Sequence, residues 1–177
     1  MSVIAYFEAF PQKTPTELRN VTFPEGCGSI PAGVFLFMEY FCTDLSCNCE
    51  RVIIKVLHLR SKSDQRPREV ATISYTWSPG ADETWRKTNP EFSNPFLDPF
   101  HRQASCAQEL LEFWSDMVER DNVYAQRLKT HYRELREKRG KSERHAPAFD
   151  PSAFDVPANR EERRRLRKSR PGKHAHR

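Results

Sequence analysis

The chain has 177 residues, which is enough for one domain of ordinary size with a tail but too few for two full domains. It is 37% hydrophobic and 30% charged, with 13 Pro and 6 Gly, so part of it is too poor in apolar residues to join a compact core. The net charge of +5 is uneven: residues 133–177 hold 15 Lys/Arg and 7 Asp/Glu, a net charge of +8, which leaves residues 1–132 at −3 and excludes nucleic-acid binding by a uniformly basic fold.

The first 32 residues are rich in chain breakers, including Pro11, Pro15, Pro24 and Pro31. This pattern predicts an extended N-terminal arm that packs on the domain with one edge strand. The first residues lack the basic start and the apolar run of a secretory signal, and no stretch of the chain approaches the roughly 18 apolar residues of a membrane span. We therefore expect a cytoplasmic protein with no membrane partner.

Three segments in the middle of the chain have the patterns of strands. Residues 34–42 are almost continuously apolar, which indicates a strand covered on both faces. Residues 51–59 alternate between apolar and polar side chains, and residues 70–77 do the same. The segment TDLSCN between the first two strands is typical of a turn. Together these segments predict a three-stranded antiparallel sheet with one packed face.

Two helices are predicted after this sheet. Ser105 and Gln108 have the spacing of a capping box at the start of the first helix. Asp121 suits the N-cap of the second helix, whose apolar pattern ends in charged residues near Gly140. We expect an α+β fold in which this helical hairpin packs on the sheet. The predicted organisation is an arm at 1–32, an α+β domain at 33–139 and a disordered basic tail at 140–177.

A cluster of cysteines lies at the turn between the first two predicted strands. Cys42, Cys47 and Cys49 fall within eight residues, and in a reducing compartment such spacing is more typical of a metal site than of disulfides. Zinc prefers four thiolate or imidazole ligands in a tetrahedron, so one ligand is missing from this trio. We place Cys27 with the three as a metal ligand, and the sequence leaves other candidates open for the fourth position: His58, His101, Cys106 and His131.

Other interpretations of these cysteines remain open from the sequence. They can be ordinary thiols without a metal, or Cys47 and Cys49 can form a reversible redox disulfide. Negative charge at Asp44 and Glu50 would raise the thiol pKa and disfavour a standing nucleophile, whereas Arg51 would oppose that effect. A zinc with only three protein ligands would keep a water and could support hydrolysis. We identify no catalytic residue, and we interpret His131 as a packed, hydrogen-bonded histidine of the second helix.

The stretch YFCTDLSCNCERVIIKV resembles a group of uncharacterised prokaryotic proteins. Their shared pattern is Tyr/Phe-Cys, four residues, Cys-x-Cys and then an Arg-Val strand. The similarity extends through ATISYTW and LDPF to YAQRLKTHYRELR, over residues 33–136. This resemblance implies no activity, but it does imply that Cys42, Cys47 and Cys49 act together.

The tail segment 160–173 contains eight Lys/Arg in fourteen residues. Such a segment can attach to RNA, DNA or an acidic protein through a salt-sensitive contact, or it can simply increase solubility. The sequence therefore favours a non-enzymatic binding or adaptor protein with a structural zinc and a polyanion-binding tail. The rival is an enzyme, either a thiol-redox protein or a metal-dependent hydrolase.

Overall fold

The computed structural model describes residues 3–47, 49–61, 66–78 and 94–145, with side chains described as far as residue 142. The strands are β1 (Val3–Ala5), β2 (Arg19–Phe23), β3 (Gly33–Cys42), β4 (Arg51–Leu59), β5 (Arg68–Thr76) and β6 (Phe96–Leu97). The helices are α1 (Tyr6–Ala9), a 3-10 turn (Pro11–Lys13), α2 (Thr14–Glu17), α3 (Ala107–Arg120) and α4 (Asn122–His145).

The six strands form one antiparallel sheet, so the predicted α+β class is confirmed but the predicted number of three strands is too low. The order is β1-β3-β4-β5-β6, and β2 also pairs with β3. Strands β1 and β2 share one edge of β3: Val3 lies opposite Cys42, and Phe23 lies opposite Gly33. These extra strands have two to five residues, which is too short for a clear alternating pattern.

The sheet buries one face fully and the other only in part. On β3 the aromatic residues Phe35, Phe37 and Phe41 are fully buried, and they alternate with half-buried residues of the opposite face such as Met38. The prediction that β3 is covered on both faces was therefore wrong. An almost continuous apolar run does not distinguish a fully covered strand from one whose second face is half exposed.

Helices α3 and α4 cover the buried face as a helical hairpin, as predicted. The Oδ1 atom of Asp121 accepts a hydrogen bond from the backbone N–H of Tyr124 at 2.9 Å, which confirms Asp121 as the cap of α4. Trp114 of α3 and Tyr124 of α4 then meet in the core, with Nε1 of Trp114 3.4 Å from the tyrosine hydroxyl. Helices and sheet share one hydrophobic core.

Two predicted helix ends differ from the observed ones. The residue at the cap of α3 is Cys106 rather than Ser105, and its side chain makes no capping hydrogen bond. The side chain of Gln108 instead donates to Glu112 at 3.1 Å. Helix α4 continues through Gly140 to His145, because the flanking Arg, Glu and Lys residues favour helix strongly enough to outweigh the cost of one glycine, about 1 kcal/mol.

Within the described ranges, no helix is both long enough and apolar enough to span a membrane. The predicted disordered tail begins at residue 140, and its first six residues form the end of α4. The rest of the tail, with its basic segment, lies outside the described residues.

Candidate metal centre

Three of the four predicted metal ligands lie together at one rim of the sheet. The Sγ atoms of Cys42, Cys47 and Cys49 all lie within 4.8 Å of one another. Cys42 is the last residue of β3 and is buried, with 3% of its surface exposed. Cys47 and Cys49 belong to the loop that leads to β4, and both are half-buried.

Local hydrogen bonds explain why the loop turns back on itself after β3. The Oδ1 atom of Asp44 accepts from the backbone N–H of Ser46 at 2.9 Å and from its hydroxyl at 2.6 Å. The N–H of Cys47 donates to the Asp44 carbonyl oxygen at 3.2 Å. The residue types of the turn predict such hydrogen bonds between side chains and nearby backbone. These contacts direct Cys47 back toward the end of β3.

The second half of the loop is fixed by a strained residue just before β4. Glu50 has a positive φ of 40°, a conformation that L-residues other than Gly, Asn and Asp rarely adopt. The carbonyl oxygen of Glu50 accepts from Oγ1 of Thr76 at 3.1 Å and from the backbone N–H of Trp77 at 3.3 Å. Strand β5 therefore stabilises the turn that sets the direction of Cys49.

One arginine of helix α4 binds the loop from the other side. The guanidinium of Arg136 donates to the carbonyl oxygens of Asp44, Leu45 and Cys47 at 3.1, 2.6 and 2.8 Å. The same guanidinium lies 5.3 Å from the ring centre of Tyr132, and that ring packs edge-on against Trp77 at 5.5 Å. The loop is therefore held between α4 and the end of β5.

The thiol of Cys49 resists ionisation in this setting. Burial is the main cause, followed by a hydrogen bond shared with Cys47 and by the proximity of Cys42, and together these raise the pKa of Cys49 to about 12. The backbone N–H of Arg51 acts in the opposite direction. The sequence predicted a raised thiol pKa but attributed it to Asp44 and Glu50, whereas the neighbouring sulfurs and burial are responsible.

A bound cation would instead favour the thiolate form of Cys49. Metal ions deprotonate a coordinating thiol, and three sulfurs about 2.3 Å from one ion lie slightly less than 4 Å apart, so only a small contraction of the observed trio is needed. The arrangement therefore fits a single ion, and the three cysteines can hold a metal. Within the described residues the group has three ligands.

The structure does not bring Cys27 to this group. Cys27 pairs with Ile30 in a short bridge ahead of β3, whereas Cys42 ends β3. A strand of ten residues spans about 30 Å, so the two cysteines lie at opposite ends of it. The turn around Cys27 is tied to α3 instead, because the backbone N–H of Ser29 donates to both carboxylate oxygens of Glu109 at 3.0 and 2.9 Å.

None of the alternative fourth ligands belongs to the group of three among the described residues. The Nε2 atom of His58 lies 2.9 Å from the carbonyl oxygen of Ala32, near the start of β3. His101 contacts Asp98 at 3.2 Å, and Cys106 is buried at the start of α3. His131 is buried between the carboxylates of Glu39 and Glu17, and this agrees with the prediction of a packed, hydrogen-bonded histidine.

Comparison of the chain with known protein families found no matching family, and comparisons with curated proteins and with solved structures found no match. The resemblance to prokaryotic proteins with the same cysteine spacing therefore stays a prediction. The structure does place the three cysteines of that pattern, Cys42, Cys47 and Cys49, close together.

Proposed function

We propose that this chain is a metal-binding protein that holds one zinc ion through Cys42, Cys47 and Cys49, and that the ion has a structural role. The observation that carries the proposal is the separation of the three sulfur atoms, each within 4.8 Å of the others. Thiolates are soft ligands that select zinc among the abundant divalent ions. The ion would join the end of β3 to the start of β4.

A structural role is favoured because the hydrogen bonds that surround the loop orient its backbone. Arg136, Thr76 and Trp77 all bind carbonyl oxygens of the loop or of the residue that follows it. All of these contacts end on backbone carbonyl oxygens, so they fix the position of the loop. The neighbouring carboxylate of Asp44 is engaged by Ser46.

Metal titration with matched cysteine variants tests the proposal. Protein purified without added metal should contain one equivalent of zinc, and replacement by Co²⁺ should give the intense charge-transfer absorption of cobalt thiolates. Cys47→Ser should lower zinc affinity strongly, whereas Cys27→Ser and Cys106→Ser should retain one equivalent. Loss of zinc from Cys27→Ser, or no zinc in the native protein, would contradict the proposed ligand set.

The rival function is a hydrolase that uses the same ion. It is favoured by the presence of only three protein ligands among the described residues, because a catalytic zinc keeps its fourth position for water. A thiol-redox role for Cys47 and Cys49 is less favoured, since the raised pKa of Cys49 opposes thiolate formation. Zinc-dependent cleavage of a generic ester by native protein, lost in Cys47→Ser, would favour the hydrolase.

We also propose that the basic segment 160–173 attaches the protein to a polyanion such as nucleic acid or an acidic protein. The support is its charge, eight Lys/Arg in fourteen residues, next to a fold whose first 132 residues have a net charge of −3. Phosphate contacts made by such a segment release counterions and weaken as salt is added.

A further inference from the structure

A second polar cluster lies inside the core, apart from the cysteines. The Nδ1 atom of His131 lies 2.6 Å from Oε2 of Glu39, and its Nε2 atom lies 2.9 Å from Oε2 of Glu17. Glu39 is fully buried and His131 is 1% exposed, while the side chain of Glu17 is 29% exposed. We call these three residues the core triad. It joins β3, α2 and α4.

The geometry fixes the number of protons that the triad holds. Each of its two short contacts joins a ring nitrogen to a carboxylate oxygen. A hydrogen bond between two such atoms requires a proton on one of them. Two protons are therefore required. They can both be on His131, or one can be on Glu39 and one on His131. In either case the triad keeps a net charge of −1.

The groups around the triad come from every element that packs on it. The ring of Tyr6 is stacked on His131 with centroids 3.7 Å apart. Lys13 lies 3.6 Å from Glu17, and the guanidinium of Arg127 donates to the carbonyl oxygen of Glu17 at 3.2 Å. Among the described residues, Glu134 binds Tyr6 and Lys13, and Tyr124 and Arg127 both interact electrostatically with Glu39.

The neutral form of Glu39 is favoured inside the core. Its Oε1 atom has no hydrogen-bond partner among the described residues, which is far less costly for a carboxylic acid than for a carboxylate. Burial raises the pKa of Glu39, although the contact with His131 partly offsets this shift. Loss of one of the two protons would leave two negative charges on groups that are largely shielded from water.

The triad holds the N-terminal part of the chain against the domain. Glu17 belongs to α2, and Tyr6 of α1 stacks on the imidazole ring of His131. Lys13 adds two hydrogen bonds to the Glu134 carboxylate, each 2.9 Å long. Helices α1 and α2 have four residues each, too few to be stable alone, so their positions depend on tertiary contacts. These include the polar contacts with α4 and the packing of Tyr6 on Phe41 of β3.

We propose that the core triad is a proton-dependent switch that keeps residues 6–17 docked on α4 and releases them as the pH rises. In water the isolated groups have pKa values of about 4.3 for Glu and 6.5 for His. Above pH 6.5 the open form therefore carries fewer protons than the docked form. Each proton released on opening makes opening about tenfold more favourable for every pH unit of increase. This switch is independent of the proposed metal site.

Hydrogen exchange across pH, with one isosteric variant, tests the switch. After correction for intrinsic exchange rates, the protection of amides in residues 6–17 should fall at least tenfold between pH 6 and pH 9. It should stay below the protection of β4 at every pH, because the amides of β4 exchange only when the domain unfolds more widely. In Glu39→Gln the amide N–H donates to Nδ1 of a neutral imidazole, whose Nε2–H donates to Glu17. This variant makes both bonds without an extra proton, so its protection should not fall as the pH rises.

Controls make each result decisive. His101→Gln changes a histidine outside the triad and should keep the wild-type pH dependence. If Glu39→Gln fails to fold, nuclear magnetic resonance of the wild type replaces it: the ring nitrogens of His131 and the carboxyl carbon of Glu39 should together show two protons on the triad at pH 7.5. A flat wild-type profile would overturn the proposal. So would a wild-type fall retained in Glu39→Gln or, where that variant does not fold, a wild-type triad that holds only one proton at pH 7.5.

Discussion

The guanidinium of Arg136 donates a 2.6 Å hydrogen bond to the carbonyl oxygen of Leu45, 91 residues earlier in the chain. With two more bonds to Asp44 and Cys47, this contact makes α4 the support of the cysteine loop. A metal ligand held by such an outer contact needs less reorganisation when the ion binds. Arg136 is therefore expected to act on metal affinity without touching the ion.

Replacement of Arg136 by Gln should weaken zinc binding at least tenfold, because changes to residues that support metal ligands typically cost 10–100-fold in affinity. Competition with a chromophoric chelator measures the change. Arg133→Gln is the matched control, since Arg133 lies on the same helix but is exposed, and among the described residues its guanidinium donates to Thr130. Equal affinities for Arg136→Gln and the wild type would show that the loop does not depend on α4.

The raised pKa of Cys49 predicts slow alkylation of the metal-free protein. A thiol with a pKa of about 12 is about one part in ten thousand thiolate at pH 8, whereas an ordinary thiol with a pKa of about 8.5 is roughly one quarter thiolate. Alkylation of Cys49 by iodoacetamide should therefore be at least 100-fold slower than alkylation of the exposed Cys27. Peptide mapping by mass spectrometry gives both rates from one sample. Similar rates would contradict the burial and hydrogen bonding assigned to Cys49.

Two glycines should respond to alanine in opposite directions. Gly33 begins β3 with φ of 142°, and an added Cβ would lie 2.4 Å from Nε2 of His58 and 2.5 Å from the Leu59 carbonyl oxygen. Gly33→Ala should lower the free energy of unfolding by about 2 kcal/mol or more through this strain.

Gly140 provides the matched control for that substitution. It lies inside α4, and the contact that an added Cβ would make within the described residues is with Cδ1 of Leu45 at an ordinary 3.9 Å. Gly140→Ala should raise the free energy of unfolding by up to about 1 kcal/mol. Urea denaturation of both variants checks the pair. A stabilised Gly33→Ala, or a Gly140→Ala less stable than wild type, would contradict the two backbone assignments.

Removal of residues 146–177 should abolish salt-dependent binding to a polyanion. The deleted segment contains the eight Lys/Arg of 160–173, and the slope of log affinity against log salt scales with the number of phosphates contacted. Titration of a fluorescent DNA duplex at several salt concentrations measures that slope. A truncated chain that binds with the wild-type slope would place the interaction on the folded part of the protein.

The central strands and the helical hairpin were predictable because their patterns are local. Residues 51–59 alternate cleanly, and Asp121 begins α4 as its residue type predicts. One edge strand was predicted in the first 32 residues, where the structure has both β1 and β2. The positions of β1 and β6 were not predictable, because two or three residues carry no period and their pairing depends on distant partners.

The candidate site was predictable only in its ligands. Close spacing in the sequence placed Cys42, Cys47 and Cys49 together, but nothing local indicates that Cys27 lies at the other end of β3. Arg136 was missed because one arginine in a basic helix gives no sign of a loop 91 residues away. The partnership of Glu39 and His131, 92 residues apart, was missed for the same reason.

X-ray absorption at the zinc edge of the metal-loaded protein measures the coordination sphere directly. The proposed site predicts three sulfur neighbours at about 2.3 Å and one lighter oxygen or nitrogen neighbour at about 2.0–2.2 Å. Cys47→Ser should reduce the sulfur count to two or eliminate binding. A sphere of four sulfurs, or one without sulfur, would contradict a single ion shared by Cys42, Cys47 and Cys49.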